Sequence, residues 1–165
     1  MPTLFWDASG LAKRYALETG SSTAAALSTH VPALQEVTTL WGYTETYALL
    51  LRKRNGGLLS PALFAAATSL LRNEVFLDGC FELVAVTDTD ILGSITHIQR
   101  HNLNSTDAAL LATLLRYKQA TGETCVLIAA DNRFYRSALA EGLPAINPEL
   151  LSAADVPTFF ASLSP

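Results

Sequence analysis

The sequence predicts an α/β protein, a three-layer α/β/α sandwich around a mostly parallel sheet, on three observations. Short apolar, β-branched or aromatic runs alternate with amphipathic segments along the whole chain. Two of those runs, Leu4–Trp6 and Thr124–Ala130, stop at an aspartate, Asp7 and Asp131. A helix-compatible segment follows each stop at once. Strands alternating with helices require right-handed crossovers, which produce a parallel sheet with helices on both faces. Carboxylates at strand-to-helix handovers share the carboxyl-terminal edge of such a sheet, where open α/β folds keep their ligand sites.

The elements follow in order. Leu4–Trp6 has the length and aromatic content of a buried strand. Ala8–Leu17 reads as a helix, and Gly20-Ser21-Ser22 opens a second one through about Thr29, ended by Pro32. Glu36–Leu40 is β-branched enough for a strand, and Trp41–Arg54 is helical up to the stop at Asn55-Gly56-Gly57. Ser60-Pro61 supplies a cap and a first-turn proline for a helix to about Glu74. Phe81–Val86 is a strand, followed by a helix over Ile91–Arg100. Asn104-Ser105-Thr106 caps a helix over Asp107–Gln119, which Gly122 stops. After the strand Thr124–Ala130 comes a helix to about Glu141, then a short strand within Leu143–Asn147 and a mixed tail with Phe159 and Phe160.

Bulk properties set the class. The 165 residues fit one domain, 1–165, with a core over about 3–147 and a tail over 148–165. Half the chain is hydrophobic and the charged fraction is low, which excludes disorder. No apolar run approaches the roughly 20 residues of a bilayer span, and no secretory signal is visible. Cys80 and Cys125 lack metal-type spacing and read as free thiols, so a cytoplasmic protein is expected. Eleven Lys plus Arg against fifteen Asp plus Glu give a net charge of -4, which argues against simple polyanion binding.

Four acids matter as a set. Asp7 and Asp131 end strands; Glu45 and Asp107 lie on helices beside apolar neighbours, Trp41 and Leu49 for Glu45. Each has a plain structural alternative: helix caps for Asp7 and Asp131, the helix dipole for Asp107, a salt bridge for Glu45. Gathered above one sheet edge, the four would repel and raise one another's pKa. A cation sustains such a cluster, and an all-oxygen set suits Mg²⁺ or Mn²⁺ better than Zn²⁺. Metal-dependent phosphodiester hydrolysis is the matching chemistry, the ions activating water and stabilising the leaving oxygen.

The run Asp7-Ala8-Ser9-Gly10-Leu11-Ala12-Lys13-Arg14-Tyr15 resembles the opening motif of PIN-domain ribonucleases, in particular the VapC toxins of toxin–antitoxin modules. The family's second acid matches Glu45 in Thr44-Glu45-Thr46, and its third matches Asp107 in the run from Ser105 to Thr113. The fourth matches Asp131 in Ala129-Ala130-Asp131-Asn132-Arg133, with Gly142-Leu143-Pro144 beyond it. Order and spacing agree from Leu4 to about Asn147. One departure is Leu111, where many relatives carry His. The resemblance implies Mg²⁺- or Mn²⁺-dependent endonucleolytic cleavage of RNA, a homodimer and inhibition by a small antitoxin protein. By that match Asp7, Glu45 and Asp107 are metal ligands and catalytic, with Asp131 direct or through water. Ser9 matches the polar residue that accompanies the first acid, a helix-cap hydroxyl being the alternative.

The basic residues trail the acids. Lys13 and Arg14 follow Asp7, and Arg133 and Arg136 follow Asp131; these four are the expected RNA contacts. Arg52–Arg54 and Arg116–Lys118 sit near helix ends, where they complement the dipole. Asp88-Thr89-Asp90 reads as caps, His97 and His101 as solvated or partner-facing histidines, and His30 as a residue with nothing to work with. Two rival functions stand beside the nuclease: a catalytically inactive PIN-like binding module, and a Mg²⁺-dependent phosphohydrolase of small molecules. No glycine-rich phosphate loop supports the latter.

Overall fold

The computed structural model describes residues 2–32 and 35–163. The extreme ends of the expected 1–165 span lie outside the described residues. Five parallel strands form one sheet in the order β3-β2-β1-β4-β5: β1 (Thr3–Trp6), β2 (Glu36–Thr38), β3 (Phe81–Leu83), β4 (Cys125–Ile128) and β5 (Ala145–Ile146). The chain runs outward from β1 through β2 to β3, then returns to lay β4 on the other side of β1. Trp6 pairs with Ile128 across that junction, which is the topological switch point of the sheet.

Side-chain alternation along the strands divides the interior into two layers. Leu4 and Trp6 of β1 and Val126 and Ile128 of β4 face one cluster. That cluster is closed by α1 (Ala8–Leu11), α2 (Ser21–His30), α3 (Leu40–Asn55), α4 (Pro61–Arg72) and α8 (Val156–Ser162). Phe5, Cys125 and Leu127 face the opposite cluster, closed by α5 (Asp88–His101), α6 (Ser105–Thr121) and α7 (Asn132–Ala140). The three-layer α/β/α sandwich is therefore the observed architecture. No helix among the described residues is long and apolar enough to cross a membrane.

Local signals set most boundaries. Thr39 caps α3 by accepting from the Gly42 amide, which ends β2 at Thr38 and shortens the expected strand. Ser60 with Pro61 starts α4. Thr87 and Asp90 form a reciprocal capping box that opens α5 three residues earlier than expected. Gly122, at φ 71°, ends α6.

Three expectations need correction. The helix expected over Ala8–Leu17 stops at Leu11 and continues only as a 3₁₀ turn over Ala12–Arg14. Tertiary pairing explains the change, since the turn brings Lys13 and Arg14 to carboxylates inside the fold, leaving Leu17 fully exposed. The expected helix to Glu74 gives way after Arg72 to a π-helical turn, Asn73–Leu77, which puts Glu74 against Arg14 and Tyr15. The tail is also part of the core: Val156 and Phe160 of α8 are buried, and the Phe160 ring stacks on His30 at 4.5 Å.

Gly10 sets how closely α1 approaches the sheet. A Cβ there would lie 2.5 Å from the Ile128 carbonyl oxygen and 2.9 Å from its carbon. Backbone cannot yield as a side-chain tip can, so any larger residue lifts α1 from β4. Gly10→Ala is expected to destabilise the fold by about 1–3 kcal/mol, read as a lower urea midpoint. An unchanged midpoint would contradict this packing.

Candidate active site

Asp7 stands at the carboxyl end of β1 beside the carboxyl end of β4, its amide donating to the Ile128 carbonyl at 3.0 Å. Its carboxylate caps α1, accepting from the Ser9 amide at 3.0 Å. The Ser9 hydroxyl donates to Asp7 Oδ2 and accepts from the amides of Ala130 (2.9 Å) and Asp131 (3.3 Å). One hydroxyl thus joins the β1 and β4 handovers and fixes the direction of the Asp7 carboxylate. The helix-cap alternative describes Asp7's own bonds, while Ser9 does more than cap: it bridges two strand ends.

The other three acids arrive from different elements. Asp131 caps α7, accepting from the amides of Arg133 (2.8 Å) and Phe134 (2.9 Å) through Oδ1. Those bonds leave Oδ2 unused among the described residues. Asp107 is in the first turn of α6, where Asn104 both accepts from its amide (2.9 Å) and donates to its Oδ2 (2.7 Å). Glu45 projects from α3 and makes no hydrogen bond or ion pair among the described residues. All four line one cleft of about 340 Å³, together with Ser9, Asn104 and Arg52. The structure therefore brings together the complete acid set expected from the sequence.

Their electrostatics are mutual. Burial pushes Asp7 above its ordinary value, opposed by the Ser9 hydrogen bonds and reinforced by Asp131. Burial, then the charge of Asp7, raises Glu45, with Arg52 acting the other way. Asp107 is pushed from 3.8 up to about 7 by burial and by the charges of Asp7, Asp131 and Glu45.

Other buried carboxylates in this protein are neutralised internally, which makes the contrast informative. Glu36 is paired with Arg14, which also holds Glu74 at 2.9 Å. Burial acts to raise Asp90, but the Arg116 guanidinium and Thr87 outweigh it and hold its carboxyl low. The cleft acids have no such Arg or Lys bond among the described residues. An all-oxygen set with uncompensated charge fits a hard divalent cation such as Mg²⁺ or Mn²⁺. Asp7, Glu45, Asp107 and Asp131 supply the carboxylates that line this cleft.

The expected RNA-binding cations divide. Lys13 is buried, donating to the Thr19 carbonyl (2.9 Å) and Glu149. Arg14 lies between Glu36 and Glu74 with its guanidinium carbon 5.4 Å from the centre of the Trp6 ring. Both are structural, and their expected role as phosphate contacts is corrected: buried ion pairs have already consumed their charge. Arg133 and Arg136 are exposed and line a second cleft of about 380 Å³ with His101, Asn132 and Ser137. Arg133 also donates to the Asn102 carbonyl at 2.9 Å. Arg116 is no dipole complement, since it binds Asp90 and the Ala85 carbonyl. His97 and His101 are mostly enclosed and approach Glu141, so the solvated reading is corrected too. Leu111 is fully buried in the α6 layer.

Sequence reasoning missed two residues. Arg52, assigned to the helix dipole, is a wall of the acid cleft; its place seven residues after Glu45, two helical turns along the same face, was the available signal. Buried Asn147 donates to the Ala130 carbonyl (3.1 Å) and Asn132 Oδ1 (3.0 Å), bracing the loop that carries Asp131. Its only signal was its position at the end of the last expected strand.

The raised acids fix the sign of a pH effect. Asp107 contributes stability that is complete below its unfolded value near 4 and is lost as pH rises through about 7. In chelator, stability is expected to fall across that window by about 2 kcal/mol after solvent screening. Asp107→Asn should flatten the slope and be more stable than wild type at pH 8. Parallel pH–Tm curves for the two proteins would contradict the charge coupling.

No family model matches the chain, and no curated protein sequence matches it. Solved structures do. The chain is similar to the Mycobacterium tuberculosis toxin VapC20, a sarcin–ricin loop cleaving toxin, with TM-score 0.61 and 19% identity over 88% of this chain and 98% of that one. It is also similar to PAE2754 from Pyrobaculum aerophilum, with TM-score 0.59 and 15% identity over 93% of this chain and 96% of that one. With its parallel five-stranded sheet, the chain has the VapC-type PIN-domain fold.

Proposed function

We propose that this protein is a metal-dependent endoribonuclease, the toxin of a toxin–antitoxin pair, acting in the cytoplasm. The observation that carries the reading is the convergence of Asp7, Glu45, Asp107 and Asp131 on one cleft, with no Arg or Lys bonded to them among the described residues. Asp7, Glu45 and Asp107 would hold Mg²⁺ or Mn²⁺, with Asp131 completing the site directly or through water. When bound, the ion supplies Lewis-acid activation of water and charge for the leaving oxygen. The chain's own contribution is placement. Ser9 orients the Asp7 carboxylate, and Asn104 orients Asp107 Oδ2. Asp131 lines the same cleft with Oδ2 free of hydrogen bonds among the described residues, and Arg52 offers a cation to a phosphate beside Glu45. Arg133 and Arg136 extend the cationic surface past Asp131.

An RNA substrate is supported by these exposed cations and by the fold shared with a toxin that cleaves an RNA loop. A homodimer and an antitoxin are supported by exposed apolar side chains, Leu63 and Leu77 near α4 and Leu92 and Ile95 on α5. A catalytically inactive binding module would not need four uncompensated acids. A small-molecule phosphohydrolase would leave the exposed Arg side chains without a partner.

Purified wild type and Asp7→Asn, each incubated with mixed RNA and Mn²⁺ and then with chelator, test the reading. Wild type is expected to cut internally only with metal, and Asp7→Asn to lose about a thousandfold in rate. Undiminished cleavage by Asp7→Asn sinks the assignment. Turnover of small phosphate esters with intact RNA favours the third reading. Arg52→Ala is expected to weaken RNA binding and to reduce the slope of log affinity against log salt by about 1, measured by filter binding. An unchanged slope removes Arg52 from the interface.

A further inference from the structure

The end of α5 and the end of α7 meet at a group the nuclease reading does not use. His97 and His101, one turn apart on α5, stack with ring centres 6.3 Å apart and planes within 11°. Glu141, the residue that follows α7, reaches between them. Its Oε1 lies 2.6 Å from His101 Nε2 and 3.5 Å from His97 Nδ1. One ligand atom from each of the three side chains falls within 4.8 Å of the other two.

Two further observations separate this group from an ordinary ion pair. The side chains of His97, His101 and Glu141 are only 12%, 11% and 14% exposed. His97 Nδ1 is buried with no hydrogen-bond partner among the described residues, although Glu141 lies close by. Leaving such an atom unpaired is costly. A cation seated among the three side chains would use that nitrogen's lone pair. The wall beyond His101 opens into the second cleft, with Asn132, Arg133, Arg136 and Ser137 around it.

We propose that His97, His101 and Glu141 form a second metal site, selective for Zn²⁺ or a similar borderline transition-metal ion. Two imidazoles and one carboxylate are the protein ligands of an open tetrahedral site, whose fourth position is left to water or an anion. Of the three side chains, His101 also lines the Arg133 and Arg136 cleft. Hard Mg²⁺ or Mn²⁺ prefers the oxygen-only cleft, so donor chemistry sorts two metals between two sites. Arg100 Nη1, 2.8 Å from the same Glu141 oxygen, is exposed enough to swing into solvent when a metal takes its place.

Occupancy would join the carboxyl-terminal ends of α5 and α7. Just past α5, the Asn102 carbonyl accepts from Arg133 in the first turn of α7, and the loop beyond leads to Asn104 and Asp107. Asp131 opens α7. The site therefore ties the segment that leads to Asp107 to the far end of the helix that Asp131 opens.

Chelator-stripped full-length protein, titrated with Zn²⁺ by calorimetry in excess Mg²⁺ and with Co²⁺ by visible absorption, tests this. Wild type and Asp7→Asn are expected to bind one Zn²⁺ per chain and to give the Co²⁺ spectrum of a nitrogen-ligated site. His97→Ala and Glu141→Gln should each weaken Zn²⁺ binding by at least about tenfold. His97→Gln serves if His97→Ala fails to fold, as judged by its metal-free circular dichroism. No Zn²⁺ binding by wild type, equal affinity in the α5 and Glu141 variants, or loss of Zn²⁺ in Asp7→Asn alone would each overturn the proposal. The Asp7→Asn arm keeps this result distinct from failure of the nuclease reading.

Discussion

Like-charge repulsion at the carboxyl edge of the sheet is the interaction on which the rest of the structure depends. Burying one carboxylate without a partner is costly, and confining several in one cleft adds mutual repulsion. Asp107 is raised to about 7, first by burial and then by the charges of Asp7, Asp131 and Glu45. The fold supports this cost through its stiffest parts: fully buried β1 and β4, the Ser9 bridge between their ends, and α1 seated on the Ile128 backbone through Gly10. A site built on strand ends and helix termini keeps its geometry whether or not its charge is compensated.

Topology explains why the acids come from distant parts of the chain. Because β4 returns to the side of β1 opposite β2, the connections leaving β1 and β4 diverge and open a crevice between them. Asp7 and Asp131 occupy the two lips. Glu45 reaches the crevice because Thr38 and Gly42 let α3 start close against β1, where the Thr38 hydroxyl donates to the Trp6 carbonyl at 2.9 Å. Asp107 reaches it because Asn104 starts α6 at the same level.

The sandwich and the acid set were legible in the sequence because both follow from local signals. Short apolar or β-branched runs, capping residues and strand-ending aspartates each act over a few residues and agree with one another. What remained hidden depends on partners far along the chain. Lys13 and Arg14 look like rim cations until Glu149, Glu36 and Glu74 are brought to them. The same tertiary pairing truncates the first helix. His97 and His101 read as solvated because Glu141 is 40 residues from His101, and α8 reads as a tail because its buried face is satisfied by α2.

The central claim is that the uncompensated carboxylates are a cation site. Crystals soaked in Mn²⁺ and measured near its absorption edge address that claim without any assumption about substrate. The account predicts an anomalous peak bounded by Asp7, Glu45 and Asp107, absent from crystals of Asp7→Asn. A fully occupied lattice of well-ordered acids with no peak in that cleft, or a peak unaffected by Asp7→Asn, would contradict it.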